Sequence, residues 1–253
     1  MNIQIIVIPA KAPNGYETSA NPRTHAMTET FDIGFLLYPE LTQLDMTGPA
    51  QVLARMPNAK LHFVWKTRDP IHDDCGLTFV PTATFEDCPQ LDMICVPGGY
   101  GTSAVMQDEA ALVWLRKQAE GAQFITSVCT GSLILAAAGL MTGYRAGCHW
   151  AWRDLLSGFG AIPVAERVVE DRNRISGGGV TAGIDFGFRI VEKLHGRDIA
   201  EMIQLALEYD PAPLGGGTPE TARKPILEMT RAAMTARGFD LRRTEISSLA
   251  SAR

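Results

Sequence analysis

Thr126-Ser127-Val128-Cys129-Thr130-Gly131-Ser132, preceded by Phe124-Ile125 and followed by Leu133-Ile134-Leu135-Ala136-Ala137-Ala138, decides how this chain reads. A short buried strand over Phe124–Val128 ends at a cysteine. An apolar helix over Thr130–Ala138 starts directly after it, with Gly139 as the residue that stops it. Such a turn lifts its central side chain out of the sheet, as a nucleophile elbow does, here with sulfur in place of a serine oxygen. The helix N-terminus adds unpaired N–H groups and a positive dipole end, both of which lower a thiol's pKa. An inert cysteine wedged between strand and helix would give the same pattern, so the weight of Cys129 depends on its neighbours.

Two further strand ends supply those neighbours. Leu91–Val96 reads as a strand running into Pro97-Gly98-Gly99, where bare backbone N–H groups can face a ligand as an oxyanion hole. Alone, the glycine pair is more simply a tight turn. Phe31–Leu37 is a strand followed by a loop over residues 38–47, and Asp45 lies there between apolar residues, as a desolvated proton carrier or as a cap for the helix opened by Thr47-Gly48-Pro49. In open α/β sheets, ligands bind beyond the carboxyl ends of strands, and Asp45, Gly98-Gly99 and Cys129 all follow such ends.

The remainder alternates in the same way. Strands are expected at Leu61–Lys66, Leu77–Val80 and Arg167–Glu170. Helices are expected at Asp108–Ala119, near Trp150–Leu156, at Thr181–Leu194 and at Asp198–Tyr209, with a glycine turn at Gly177–Gly179. The order implies an α/β domain, a mainly parallel sheet covered by helices on both faces. Residues 1–28 read as a flexible extension, with a short strand at Ile3–Ile8, and Met27 is an alternative start. The catalytic domain is expected over 29–215. Residues 216–253 form a C-terminal helical segment, roughly Glu220–Arg237 with a late start at Pro225, and a loose tail.

Composition narrows the function. The 253 residues carry 23 basic and 28 acidic side chains, a net charge of −5 without the footprint of a nucleic-acid binder. No apolar run reaches the roughly 18–20 residues that cross a bilayer. Five cysteines, an odd number with no Cys-x-x-Cys pair, fit free thiols in a reducing, cytoplasmic setting. No histidine pairs with another at metal-ligand spacing, so no metal is expected, and His149, 20 residues beyond Cys129 and directly before Trp150-Ala151-Trp152, leaves a Cys–His pair open.

Taken together, Ile33-Gly34-Phe35-Leu36-Leu37-Tyr38-Pro39, Gln43-Leu44-Asp45-Met46-Thr47-Gly48-Pro49, Cys95-Val96-Pro97-Gly98-Gly99, the Cys129 elbow and His149-Trp150-Ala151-Trp152 resemble the DJ-1/PfpI superfamily. Gly177-Gly178-Gly179-Val180-Thr181-Ala182-Gly183-Ile184-Asp185 and Leu207-Glu208-Tyr209-Asp210-Pro211-Ala212-Pro213 extend the likeness, which covers about residues 30–215. It implies a single flavodoxin-like domain of the class I glutamine amidotransferase kind. Asp45, where many members have glutamate, together with Cys129-Thr130, resembles the isonitrile hydratase branch.

That branch implies a hydro-lyase that hydrates isonitriles to formamides through a cysteine thioimidate. Cys129, Asp45 and Thr130 would be catalytic, and Gly98, Gly99 and Tyr100 would bind substrate. Backbone N–H groups around Gly99 and Thr130 would stabilise developing charge. No cofactor is implied. The partners would be a small-molecule isonitrile and a second copy in a homodimer, with no nucleic acid and no membrane. A glyoxalase- or deglycase-like activity and the ligand-sensing domain of AraC-type regulators are the alternatives on the same motifs. Gly147-Cys148 stands where relatives commonly carry threonines.

Overall fold

The computed structural model describes residues 30–251. The expected extension over 1–28, with its strand at Ile3–Ile8, lies outside the described residues. The main sheet has seven strands: β1 (Phe31–Leu36), β2 (Ala59–Trp65), β5 (Ala83–Thr84), β6 (Met93–Val96), β7 (Phe124–Val128), β10 (Val168–Asp171) and β11 (Arg174–Gly177). Their order is β10-β11-β7-β6-β1-β2-β5. All pairs are parallel except the β10–β11 hairpin. This is the mostly parallel sheet expected from the alternation.

Every residue of β6 and β7 is buried, which requires cover on both faces. On one side α1 (Gln43–Leu53) packs against α5 (Ala182–His195), and α5 in turn against α6 (Arg197–Ala206). Another layer is built by α2 (Thr102–Met106), α3 (Glu109–Gly121) and α4 (Gly131–Ala137). Phe35, Leu36, Ile94, Val96, Leu133 and Phe186 are fully buried between these layers. Two small pairs, β3 (Ile71–His72) with β4 (Thr78–Phe79) and β8 (Arg145–Ala146) with β9 (Ile162–Pro163), stand apart from the sheet. The strand expected at Leu77–Val80 is therefore only two residues of a hairpin.

Four local readings are corrected. First, α1 begins at Gln43, not at Thr47, so Asp45 lies in its first turn and Pro49 inside it. The proline sits four residues after Asp45 and withholds the N–H that the Asp45 carbonyl would otherwise accept. Second, β11 occupies residues read only as the approach to a glycine turn. It tolerates Arg174 because Nε donates to the Leu140 carbonyl at 2.7 Å and the guanidinium lies 4.4 Å from the Tyr144 ring centroid.

Third, the helix expected near Trp150–Leu156 is a 3-10 helix over Arg153–Phe159. Fourth, the residues expected to be loose form α8 (Phe239–Ser251), after α7 (Lys224–Ala236), which does start late, with Pro225 at its second position. The helix α8 is held because Ile246 is buried, Phe239 meets the Trp152 ring edge-on at 4.6 Å, and Arg243 pairs with Asp154.

Candidate active site

Cys129 follows β7 and precedes α4. Its φ of 59° lies in the left-handed region, a conformation that costs a non-glycine residue of order 1 kcal/mol or more. The surroundings hold it there. Its N–H donates to the Gly177 carbonyl at 3.1 Å, and α4 passes so close to β6 that a Cβ on Gly131 would lie 2.0 Å from the Val96 carbonyl oxygen. The elbow read from the sequence is therefore present, and only glycine fits two positions after the sulfur.

Asp45 is fully buried and reaches the same point from the first turn of α1. Its Oδ2 accepts the Gly98 N–H at 2.9 Å, while Oδ1 has no conventional hydrogen-bond partner. The Cys129 sulfur interacts with this carboxyl, and each group acts on the other's titration. Burial is the larger cause and raises Asp45 to about 7, against the Gly98 N–H, which pulls it down. The Cys129 thiol is pushed well above its usual range by burial first and the Asp45 charge second. The Thr130 N–H at the sulfur acts in the opposite direction. The expectation that the helix N-terminus lowers this thiol's pKa fails, because the Thr130 N–H at a short helix does not offset desolvation beside a carboxylate.

Gly98 and Gly99 are brought to the site, but not as free donors. The Gly98 N–H is taken by Asp45, and the Gly99 N–H donates to Thr130 Oγ1 at 3.1 Å. A Cβ on Gly98 would lie 2.5 Å from the Thr130 nitrogen and 2.9 Å from Asp45 Oδ2. The glycines therefore clamp Asp45 and Thr130, which corrects the expected oxyanion hole at this pair. Thr130 is similarly committed. Its hydroxyl lies 2.8 Å from Thr102 Oγ1, which itself donates to the Gly99 carbonyl at 2.8 Å. The Thr130 proton is thus spent on Thr102, and the group facing the sulfur is the Thr130 backbone N–H.

A cavity of about 340 Å³ opens over Cys129. Gly99, Tyr100, Thr130, His149 and Trp150 belong to its lower wall. Thr230 and Met234 of α7 and Arg242 and Ile246 of α8 form its roof. Tyr100 thus lies where expected, with Arg242 stacked 4.6 Å from its ring centroid. Sequence reasoning missed the roof entirely. It also gave no role to Tyr38, a fully buried phenol whose hydroxyl donates to the Pro97 carbonyl at 2.8 Å and supports the glycine turn.

His149 touches the cavity, and its surroundings favour the neutral imidazole. Burial, with Arg153 adding to it, lowers its pKa to about 4, and Nδ1 accepts the Ala151 N–H at 3.3 Å. His62 is tied to Asp32 across β1 and β2 at 2.6 Å. Among the described residues, Asp73, Asp74 and Cys75 bring three ligand-type atoms within 4.8 Å of one another, with the Cys75 thiol donating to Asp73. Cys148 is buried close enough to Cys129 to raise its pKa further. Among the described residues no helix is long and apolar enough to cross a membrane.

Residues 32–193, which hold the elbow, the glycine clamp and the buried acid, match the DJ-1/PfpI family. The chain belongs to this family. It is 51% identical to the isonitrile hydratase of Pseudomonas putida over 222 residues, 87% of this chain and 96% of that enzyme. It is 29% identical to the HTH-type transcriptional regulator GbdR of Pseudomonas aeruginosa over 70% of this chain, but spans only 50% of that regulator.

A ThiJ/PfpI family protein from Pseudomonas syringae superposes with a TM-score of 0.83 at 41% identity, covering 91% of this chain and 97% of that one. The 9% left uncovered is fewer residues than 216–253 contain, so that likeness extends into the C-terminal helices.

Proposed function

We propose that this protein hydrates isonitriles, R–N≡C, to N-substituted formamides through a covalent adduct on Cys129. The observation that carries the reading is the buried Cys129–Asp45 pair, whose cysteine lines the cavity and whose carboxyl lies behind it. The 51% identity to the Pseudomonas putida isonitrile hydratase supports it.

With Asp45 at about 7 and the thiol well above its usual range, the reactive form of the pair has Asp45 ionised and the proton on sulfur, a form that gains as pH rises through about 7. As the sulfur attacks the terminal isonitrile carbon, Asp45 takes the thiol proton and passes it to that same carbon. One S–C and one C–H bond form, giving the thioimidate R–N=CH–S–Cys129. Asp45, again a carboxylate, then draws a proton from water as the oxygen adds to the thioimidate carbon. The nitrogen is protonated, the C–S bond breaks, and R–NH–CHO leaves with the thiol restored. The net change is addition of one water, with no change of oxidation state. The Thr130 N–H stabilises charge on sulfur when the proton leaves.

Thr130, Gly98 and Gly99 act in this scheme by fixing Asp45 and the turn, and Tyr100 borders the substrate. Residues 29–215 form the catalytic unit and 216–253 its cover. The same proposal includes a cytoplasmic homodimer.

Cyclohexyl isonitrile incubated with purified protein should yield N-cyclohexylformamide by mass spectrometry. Cys129→Ala should fold with unchanged far-UV circular dichroism and lose turnover by about 10⁴-fold or more. Retained turnover in that variant would refute the covalent step. Turnover of methylglyoxal with none of the isonitrile would replace the reaction. Sedimentation at micromolar concentration tests the dimer.

A further inference from the structure

The cavity over Cys129 holds a cation that the proposed reaction does not use. Arg242, near the start of α8, lines the cavity and holds its guanidinium carbon over the Tyr100 ring, 4.6 Å from the centroid. Its Nη1 donates to the Arg237 carbonyl at 2.6 Å. Among the described residues no carboxylate lies within 4.0 Å of it, whereas the adjacent Arg243 is paired with Asp154. A guanidinium has five N–H donors in a planar fork. One bond and one stacking contact fix its orientation and leave donors to spare.

The second charged group on the cavity is Asp74, whose Oδ2 accepts the Thr42 hydroxyl at 2.5 Å. His149 contributes no charge at neutral pH, because burial holds it at about 4. A ligand in the cavity therefore meets one cation and one anion, neither of them ion-paired among the described residues, and Arg242 is the one with several N–H donors that no protein acceptor takes. A charge exposed to an otherwise mainly apolar chamber is costly unless a ligand pairs with it.

We propose that Arg242 selects the substrate: it pairs with a carboxylate on the isonitrile, so that the preferred substrates are isonitriles of compact carboxylic acids. This rests on the hydratase reading. The stacked guanidinium offers a bidentate edge to the carboxylate, and Asp74 repels the same group and so sets the direction in which the molecule enters. The isonitrile carbon is then left to face Cys129.

The test compares 3-isocyanopropanoate with 3-methylbutyl isonitrile, which has the same shape and no charge. The quantity read is the ratio of their kcat/KM values. Arg242→Met should lower that ratio by about 10- to 100-fold. Arg242→Lys should recover part of it, and Asp74→Asn should raise it. Added salt should lower the wild-type ratio, since the ion pair is partly screened. An unchanged ratio in Arg242→Met, or a wild-type enzyme that turns over the neutral compound and rejects the acid, would overturn the inference and leave the hydratase reading intact. Turnover of neither compound would remove both.

Discussion

At the floor of the cavity, Asp45, Gly98, Gly99, Thr130 and Thr102 hold one another through short hydrogen bonds, under a cysteine kept at positive φ. At the roof, no residue of α7 is fully buried, and α8 is held by Ile246, one edge-on aromatic contact and the Arg243–Asp154 pair. The floor has almost no freedom because each donor already has its acceptor. The roof is fastened at a few points, and substituting its side chains disturbs no network. On the proposals above, chemistry and selection would rest on different physics: packed, prepaid geometry below and adjustable side chains above.

The largest expected effect falls on the floor. Asp45→Asn should lower kcat/KM by about 10²- to 10⁴-fold, since proton transfer by a positioned side chain contributes about that much. In the wild type, activity should rise with pH through about 7, as Asp45 loses its proton and can accept the one on sulfur. An Asp45→Asn variant with the same rising limb would assign that limb to another group.

Gly131→Ala comes next. Its Cβ would lie 2.0 Å from the Val96 carbonyl oxygen, so β6 and α4 must separate, at a cost of about 3 kcal/mol or more. Urea unfolding measures this, and a cost under about 1 kcal/mol would show the floor to be less rigid than described.

Asp45 also makes a stability prediction of opposite sign to its effect on activity. Its pKa is raised on folding from 3.8 to about 7, so between those values the folded state binds more protons than the unfolded one. Stability contributed by this group is present below about 4 and lost as pH rises to 7. Asp45→Asn should thus be more stable than wild type by up to about 4 kcal/mol at pH 8, and by about 2 kcal/mol at pH 5. Urea midpoints at the two pH values decide it.

The smallest effects belong to the roof. Phe239→Ala should cost about 1–2 kcal/mol and raise KM more than it lowers kcat. Arg243→Ala, which breaks an exposed ion pair, should cost under about 1 kcal/mol. A roof variant that lowered kcat by a hundredfold would erase the distinction between the two regions.

The sequence made the floor legible because its constraints are local. A strand, a cysteine, a glycine two positions on and an apolar helix can hardly be arranged in another way, and the strand–helix alternation then dictates a parallel sheet. Three features were hidden. The beginning of α1 was obscured by Pro49, which reads as an opening residue and is in fact interior. The strand β11 was obscured by Arg174, whose burial depends on Leu140 and Tyr144, far away in sequence. The fate of the glycine N–H groups was set by Asp45, 53 residues upstream of Gly98, and Thr130, 31 residues downstream of Gly99, and no spacing rule reports which acceptor a bare amide finds. The roof was hidden for a related reason. Its periodicity is that of an ordinary solvated helix, and the partners that give α8 a place, Trp152 for Phe239 and Asp154 for Arg243 among them, lie far away in sequence.

The roof also occupies one uninterrupted stretch, residues 224–251, after every strand of the sheet has been laid down. The roof's share of the proposed preference, Arg242, is therefore written after Asp45 and Cys129 in the polypeptide, although Asp74 and Tyr100 lie between them. A lineage could rewrite the later part, or trade it with a cousin, while inheriting the earlier part untouched. Change in what is accepted need not pass through loss of what is done.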